Sequence, residues 1–385
     1  MGALEKRKIM RLGKSSLVVS IPKSWAVKYK LDSSAQVMLI PQRDGSLALY
    51  PAKEFSESPS EQEVMTDPTD EPGMLERRLI AAYLNNFGVI RLRSSGVFTP
   101  EQQALIRKRV RMLTGLQIID SSTNEIVIQS LMKLDHLDLP KSMRLAHRIA
   151  SSMLTDALSS LQMRDVELAR TVIGLDEDVN QFYFLVFKQL RAALLDPRFM
   201  NELGIDSMDC LTYLMFIQRV ENVADHAKTI AEAVITLGKE ECPKELVNLA
   251  LKTGDEVHGI YTVAAEAMLN SDDKAANGVI NAADHLHPMR QQAEQLMEQH
   301  VVKLCEQMLP KLTPETCALF GPRQKAMFCL EQIFEAFGKI VEHSCAIAET
   351  AIDRAQEQRN AWTAEQPAST PPAKPETKSK SRART

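Results

Sequence analysis

Glu221 and Asp225 stand four residues apart in the stretch RVENVADHAKTIAE. On a helix that spacing puts two carboxylates about 40° apart on one flank, because each residue advances the helix by about 100°. Val220, Val223, Ala224, Ala227 and Ala231 form the neighbouring apolar stripe, so the acids border the core rather than oppose it, and Glu232 continues the acidic edge. Two like charges one turn apart cost roughly 0.2–0.5 kcal/mol in an isolated helix. A cation bridging both groups would remove that cost, and oxygen-only ligands suit hard cations or iron rather than copper. The same pattern equally suits a solvated acidic flank with Arg219 and Lys228 beside it.

Long helices must position such a pair. From about residue 138 the chain shows six amphipathic segments: 140–163, 166–196, 207–239, 243–271, 273–306 and 322–358. Each far exceeds the mean helix of about 11–12 residues, which predicts bundles. The third and sixth segments align at one offset. Ile230-Ala231-Glu232 matches Ile347-Ala348-Glu349, and Asp225-His226 matches Glu342-His343, both 117 residues on. The second and fifth align more weakly, through Val172-Ile173 and Val279-Ile280. Two tandem three-helix bundles, 138–240 and 241–358, are the simplest account.

The remaining composition bounds the function classes. The 385 residues carry a formal charge of −4, with 44% hydrophobic and 25% charged residues, which is ordinary for folded domains and excludes disorder as the main state. No apolar run approaches the roughly 18 residues that cross a bilayer. The opening MGALEKRK has no apolar secretion core, so a cytoplasmic protein without membrane insertion is expected. The six cysteines form no C-x-x-C pair and read as reduced core residues.

Charge is unevenly spread. Residues 1–53 hold ten Lys or Arg against three acids. Their pattern predicts a β module: strand 16–21 stopped by Pro22, a short helix, strand 36–40, a turn at Arg43-Asp44-Gly45, and strand 46–50. Such a module cannot bury both strand faces alone, so a homodimer is expected. Residues 54–73 hold seven acids and no Lys or Arg and read as an acidic linker. Residues 74–136 suggest a small α/β domain: helix 74–87 closed by Gly88, strand 89–92, a helix opened by the capping box Thr99-Pro100-Glu101-Gln102, and hairpin 116–128. Arg107, Lys108, Arg109 and Arg111 read as a solvated basic face, and residues 359–385 as a disordered basic tail.

Two resemblances sharpen this reading. The string RLGKSSLVVSIPKSWAVKYKLDSSAQVMLIPQRDGSLALYP resembles the AbrB/SpoVT/MazE swapped-hairpin family, in which two chains interlock into a barrel with a basic DNA-binding face. That resemblance implies Arg11, Lys14, Ser15, Lys23 and Lys28 as DNA contacts; dimerisation alone is the competing reading. RVENVADHAKTIAE, with VIGLDEDVN before it, resembles the PhoU family, two-bundle cytoplasmic regulators of phosphate uptake. Its members bind clusters of iron, zinc, nickel or magnesium, and are thought to dock on phosphate ABC transporters and sensor kinases. The combination is similar to archaeal phosphate uptake regulators. By that resemblance Asp176, Glu221 and Asp225 are metal ligands, with Asp178 and Asn180 as weaker candidates. In the second copy Gly338 stands where Glu221 would be, leaving Glu342. Asp284, His287, Glu342 and His343 would make a nitrogen-richer site suited to zinc or iron, or that site is lost.

Enzyme chemistry finds little support. D-x-x-H occurs at Asp255–His258 and Asp284–His287, but di-iron bundles use E-x-x-H with further inward glutamates. No phosphate loop, nucleophile elbow or dinucleotide glycine pattern is present. No catalytic residue is assigned. The expectation is a phosphate-uptake regulator coupled to DNA, with a DNA-independent adaptor for a transporter or kinase as the alternative, and a carboxylate-bridged metalloprotein as the distant one.

Overall fold

The computed structural model describes residues 5–41, 45–51, 60–132, 134, 137–308 and 314–365. The chain divides into two compact units, Met1–Leu137 with Phe187–Cys210, and Asp138–Val186 with Leu211–Thr385.

The first unit opens with two antiparallel hairpins. β1 (Met10–Leu12) pairs with β2 (Ser16–Val18), turning through Gly13 at φ +69°. The short helix α1 (Lys23–Lys28) follows, then β3 (Val37–Pro41) pairs with β4 (Leu47–Pro51). Among the described residues these are separate two-stranded sheets, so the expected closed barrel is not formed within one chain. Strand β2 is half the expected length. Apolar residues along β2, α1, β3 and β4 lack cover: Leu17, Val19, Val27, Leu39 and Leu47 are all exposed, Leu17 by 67%. The turn at Arg43-Asp44 lies outside the described residues.

A four-stranded sheet, ordered β5-β6-β8-β7, completes this unit with α2 (Pro72–Leu84) and α3 (Pro100–Met112). β5 (Glu61–Thr66) lies where an acidic linker was expected. It runs parallel to β6 (Val89–Ser94). Val64 and Thr66 are buried, while Arg91 reaches Glu61 at 2.7 Å and Glu125 at 3.0 Å, and Arg93 reaches Glu63 at 2.7 Å. Cross-strand arginines thus neutralise the acids that made the segment look linker-like. Residues 54–59 of that linker lie outside the description. β7 (Leu116–Ser121) and β8 (Glu125–Ser130) form the expected hairpin.

Helix α2 buries Leu75, Leu79, Ala82 and Tyr83 on one stripe. It ends at Leu84 rather than at Gly88, because Asn86 takes the left-handed conformation, φ +58°, which Asn tolerates. The capping box of α3 forms as expected: Thr99 Oγ1 accepts from the Gln102 amide at 3.1 Å, and Gln102 Oε1 accepts from the Thr99 amide at 3.1 Å.

The segment 187–210 is also part of this unit. Lys188, 1% exposed, lays its ammonium 4.2 Å from the centre of the Tyr83 ring. Burial lowers its pKa to about 8. Gln189 Nε2 donates to the Leu137 carbonyl at 2.9 Å. A short helix α6 (Pro197–Glu202) is capped by Asp196, which accepts from the Arg198 amide at 2.9 Å.

The second unit is helical throughout. It contains α4 (Leu139–Met163), α8 (Lys244–Asn270), α9 (Asp273–Asp284), α10 (His287–Met308) and α11 (Pro314–Glu365), with the parts of α5 (Val166–Leu195) and α7 (Ser207–Leu237) assigned to it. Asp138 caps α4, accepting from the Lys141 amide at 2.9 Å, and Asp272 caps α9. Two expectations need correction. The fifth segment is broken at His285–Leu286 into α9 and α10, and α11 continues to Glu365, into the expected tail. Residues 366–385 lie outside the description.

α8 packs against both α4 and α11. Gly254 permits that approach: a Cβ there would meet Leu158 Cδ2 at 2.3 Å and Phe337 Cζ at 3.0 Å. Cys210 and Cys329 are buried and Cys242 and Cys345 half-buried, all four free thiols. No helix among the described residues is long and apolar enough to cross a membrane.

Candidate functional site: an acidic cluster on the first repeat

Helix α7 buries Val220, Val223, Ala224, Ala227 and Ala231 completely, as its apolar stripe predicts. Glu221 is consequently half-buried at the edge of that stripe and Asp225 exposed beside it. Asp176, on α5, is 6% exposed and faces them. The three acids interact. Burial first, then the charges of Asp225 and Asp176, push the Glu221 carboxyl up to about 7. Burial, followed by the neighbouring Asp176, also raises Asp225.

Lys228, one turn beyond Asp225, provides the counter-charge. Its Nζ donates to Asp176 Oδ2 at 2.9 Å. Asn180 Nδ2 donates to the same oxygen at 3.2 Å. The other oxygen, Asp176 Oδ1, is buried without a hydrogen-bond partner. Asp178 is exposed, on the solvent side of α5. The structure therefore brings Asp176, Glu221 and Asp225 together, adds Asn180, and leaves Asp178 out. Lys228 was visible in the sequence only as a nearby base. Its direct pairing required knowing how α5 lies against α7.

Among the described residues no group of three His, Cys, Asp or Glu side chains stands ready to hold a metal ion. The donor set still has the right chemistry. Oxygen ligands with one buried, unsatisfied carboxylate oxygen suit a hard cation, and Lys228 is the group that such a cation would displace.

Among the described residues the second-copy candidates form no group ready to hold a metal ion. Glu342 pairs with Lys339 at 3.0 Å, Asp284 is exposed, and the side chain of His287 lies outside the described residues. His343 turns elsewhere: its ring stacks on His226, with centroids 5.4 Å apart and planes 20° apart. Arg219 Nη1 lies 3.1 Å from His343 Nδ1. Burial first, with His226 and Arg219 adding, pushes His343 down to about 4. These two histidines are the equivalent positions of α7 and α11. Their stacking joins α7 to α11 at the 117-residue offset. The basic candidates of the first unit, Arg11, Lys14, Ser15, Lys23 and Lys28, are all exposed on β1, its turn and α1.

Comparison with known proteins falls on the same helices. Residues 143–234 match the PhoU domain. Two curated relatives, each named a phosphate-specific transport system accessory protein PhoU homolog, come from Caulobacter vibrioides, strains NA1000 / CB15N and ATCC 19089 / CIP 103742 / CB 15. Each is 29% identical over 98 residues, 25% of this chain and 39% of the relative. The chain thus spans well under half the length of these relatives. The crystal structure of PhoU from Pseudomonas aeruginosa superposes with a TM-score of 0.47 and 16% identity, covering 57% of this chain and 96% of that one. Asp176, Glu221, Asp225 and Lys228 all lie within the matched residues 143–234.

Proposed function

We propose that this chain is a non-catalytic, cytoplasmic regulator of phosphate uptake, acting through the acidic face of its first helical repeat. The observation that carries the reading is the coincidence of the PhoU match, 143–234, with the one turn where Asp176, Glu221 and Asp225 converge. The relatives' names describe accessory proteins of phosphate transport, which supports a transporter subunit as the partner; a sensor kinase is the alternative that the family resemblance implies. Glu221, Asp225 and Asp176 would hold a metal ion, which would neutralise their repulsion and create a charged docking plate. Iron, zinc, nickel and magnesium are the candidates.

The exposed apolar strands β1 to β4 support homodimerisation, and the exposed cations Arg11, Lys14, Lys23 and Lys28, with Ser15, support a DNA-facing surface of the AbrB/SpoVT kind. Such a surface binds phosphates through counterion release and shows a steep salt dependence. In this reading the helical repeats report transporter state and the dimeric N-terminus passes it to DNA. A second reading keeps the dimer and the transporter contact but removes DNA.

The deciding experiment uses the full chain. Co-purification with a phosphate ABC transporter ATPase subunit should be retained by wild type and lost in Glu221→Ala/Asp225→Ala, with metal content measured on both proteins. Equal metal in the two would end the cation assignment, and equal capture would end the docking assignment. Retention on DNA across a salt series, lost in Lys14→Ala/Lys23→Ala, separates the two readings.

A further inference from the structure

We propose that the second helical repeat carries a binding pocket for a small apolar carboxylate, built where the first repeat keeps its acidic cluster. The inference rests on the internal repeat and the cavity and is independent of the phosphate reading.

The register supplies the comparison. The 117-residue offset carries Glu221 to Gly338, Asp225 to Glu342 and Lys228 to Cys345. The offset that relates Val172 to Val279 carries Asp176 to Ala283. Two of the three carboxylates and the lysine that neutralises them have therefore disappeared together. Ala283, Gly338 and Glu342 now line a half-open cavity of about 170 Å³. Val257, Leu286, Phe334, Phe337 and Val341 supply its apolar wall. Thr253, the remaining hydroxyl of the lining, donates its proton to the Leu249 carbonyl at 2.8 Å, so it does not make the wall polar.

One cation enters this space. Arg290, on α10, lines the cavity, and its Nη1 lies 3.7 Å from where a Cβ on residue 338 would stand. The guanidinium thus covers the position of the missing glutamate. The break between α9 and α10 brings Leu286 and Arg290 to this wall. Arg290 pairs only weakly on its own helix, with Glu294 at 3.2 Å, both side chains more than half exposed; such pairs contribute little. Glu342 also lines the cavity, and its carboxylate pairs with Lys339 at 3.0 Å, a contact as exposed and as weak as that of Arg290 with Glu294. A planar guanidinium above an apolar cavity favours a carboxylate head, which it can grip with two parallel hydrogen bonds. The volume sets the body. An engineered apolar cavity of about 150 Å³ takes up benzene, so a single ring or a branched chain of about six carbons fits.

Fluorine NMR titration of the full chain with 4-fluorophenylacetate tests this. Saturable binding is expected, weakened at least tenfold in Arg290→Met, partly restored in Arg290→Lys, and unaffected by Asp225→Asn on the other repeat. The neutral isostere 4-fluorobenzyl alcohol should bind at least tenfold more weakly than the acid. Arg290 is exposed on α10, so its variants test the head group without threatening the fold, and Gly338→Leu, checked by circular dichroism, should abolish binding by filling the cavity. No saturable binding at millimolar ligand overturns the proposal. So does equal affinity for acid and alcohol, or undiminished binding in a folded Gly338→Leu protein.

Discussion

At Asp176, Glu221 and Lys228 the first repeat keeps charges that the second has replaced with Ala283, Gly338 and Cys345. Around the first set, burial raises carboxyl pKa values and a lysine is recruited to compensate. Around the second, the surface has become a cavity walled by Phe334 and Phe337. The lesson is that the charges of such a cluster depend on one another. Lys228 is held by Asp176, and where Ala283 stands in place of that aspartate, Cys345 stands in place of the lysine.

This contrast predicts its own largest effect. Lys228→Met should destabilise the first repeat by about 3 kcal/mol, since it strands Asp176 as an uncompensated, nearly buried carboxylate. Chemical denaturation in the presence of a chelator measures that loss. Millimolar magnesium or manganese should recover a good part of it if the cluster accepts a cation, and none if Lys228 is the only counter-charge the site tolerates.

The seam between the repeats is a third environment, neutral where the first is charged. His147 on α4 packs edge-on against Tyr261 of α8, with Nδ1 3.2 Å from the phenol oxygen. Glu266 lies 3.8 Å from its other nitrogen and favours the imidazolium, but burial outweighs this and pushes His147 down to about 4. An unfolded histidine titrates near 6.5, so between pH 6.5 and 4 the unfolded chain binds more protons than the folded one. Stability contributed by the neutral ring is complete above pH 6.5 and is lost as pH falls through that window. The loss should be about 2–3 kcal/mol. Denaturation series at pH 7 and pH 4.5 should show it in wild type, and His147→Gln should shrink the difference by that amount, leaving the part due to His343. An unchanged slope in the variant would assign the acid sensitivity elsewhere.

The smallest effect belongs to the remnant of the second cluster. Glu342→Gln breaks only the exposed pair with Lys339 and should change stability by less than about 0.5 kcal/mol. A shift as large as that of Lys228→Met would mean that Glu342 has kept the structural role of its first-repeat counterpart.

Local signals were legible in the sequence. The Thr99–Gln102 box and the buried stripe Val220–Ala231 follow from spacing alone, because their partners lie within a turn or two. The Glu221–Asp225 flank was legible for the same reason, and the loss at Gly338 was visible once the repeat was aligned. What sequence hid was non-local. Glu61 and Glu63 look like linker acids until Arg91 and Arg93, 30 residues on, pair with them across the strands. The break at His285–Leu286 was legible but passed over: Pro288, in the first turn of α10, marks it. Arg290 stands four residues beyond that break, and nothing in its neighbourhood relates it to Gly338. The stacking of His343 on His226 was equally hidden, because the two lie 117 residues apart.

Lys188 and Gln189 have a consequence for the order in which the protein can be made. Tyr83 and the carbonyl of Leu137 receive their partners from a segment synthesised some 50 residues or more after them. A ribosome that has released only the first 137 residues has therefore released an unfinished α/β unit, whose last side waits for helical chain still in the exit tunnel. Fragments cut at that boundary should behave as partly open proteins, even though the cut falls in a loop.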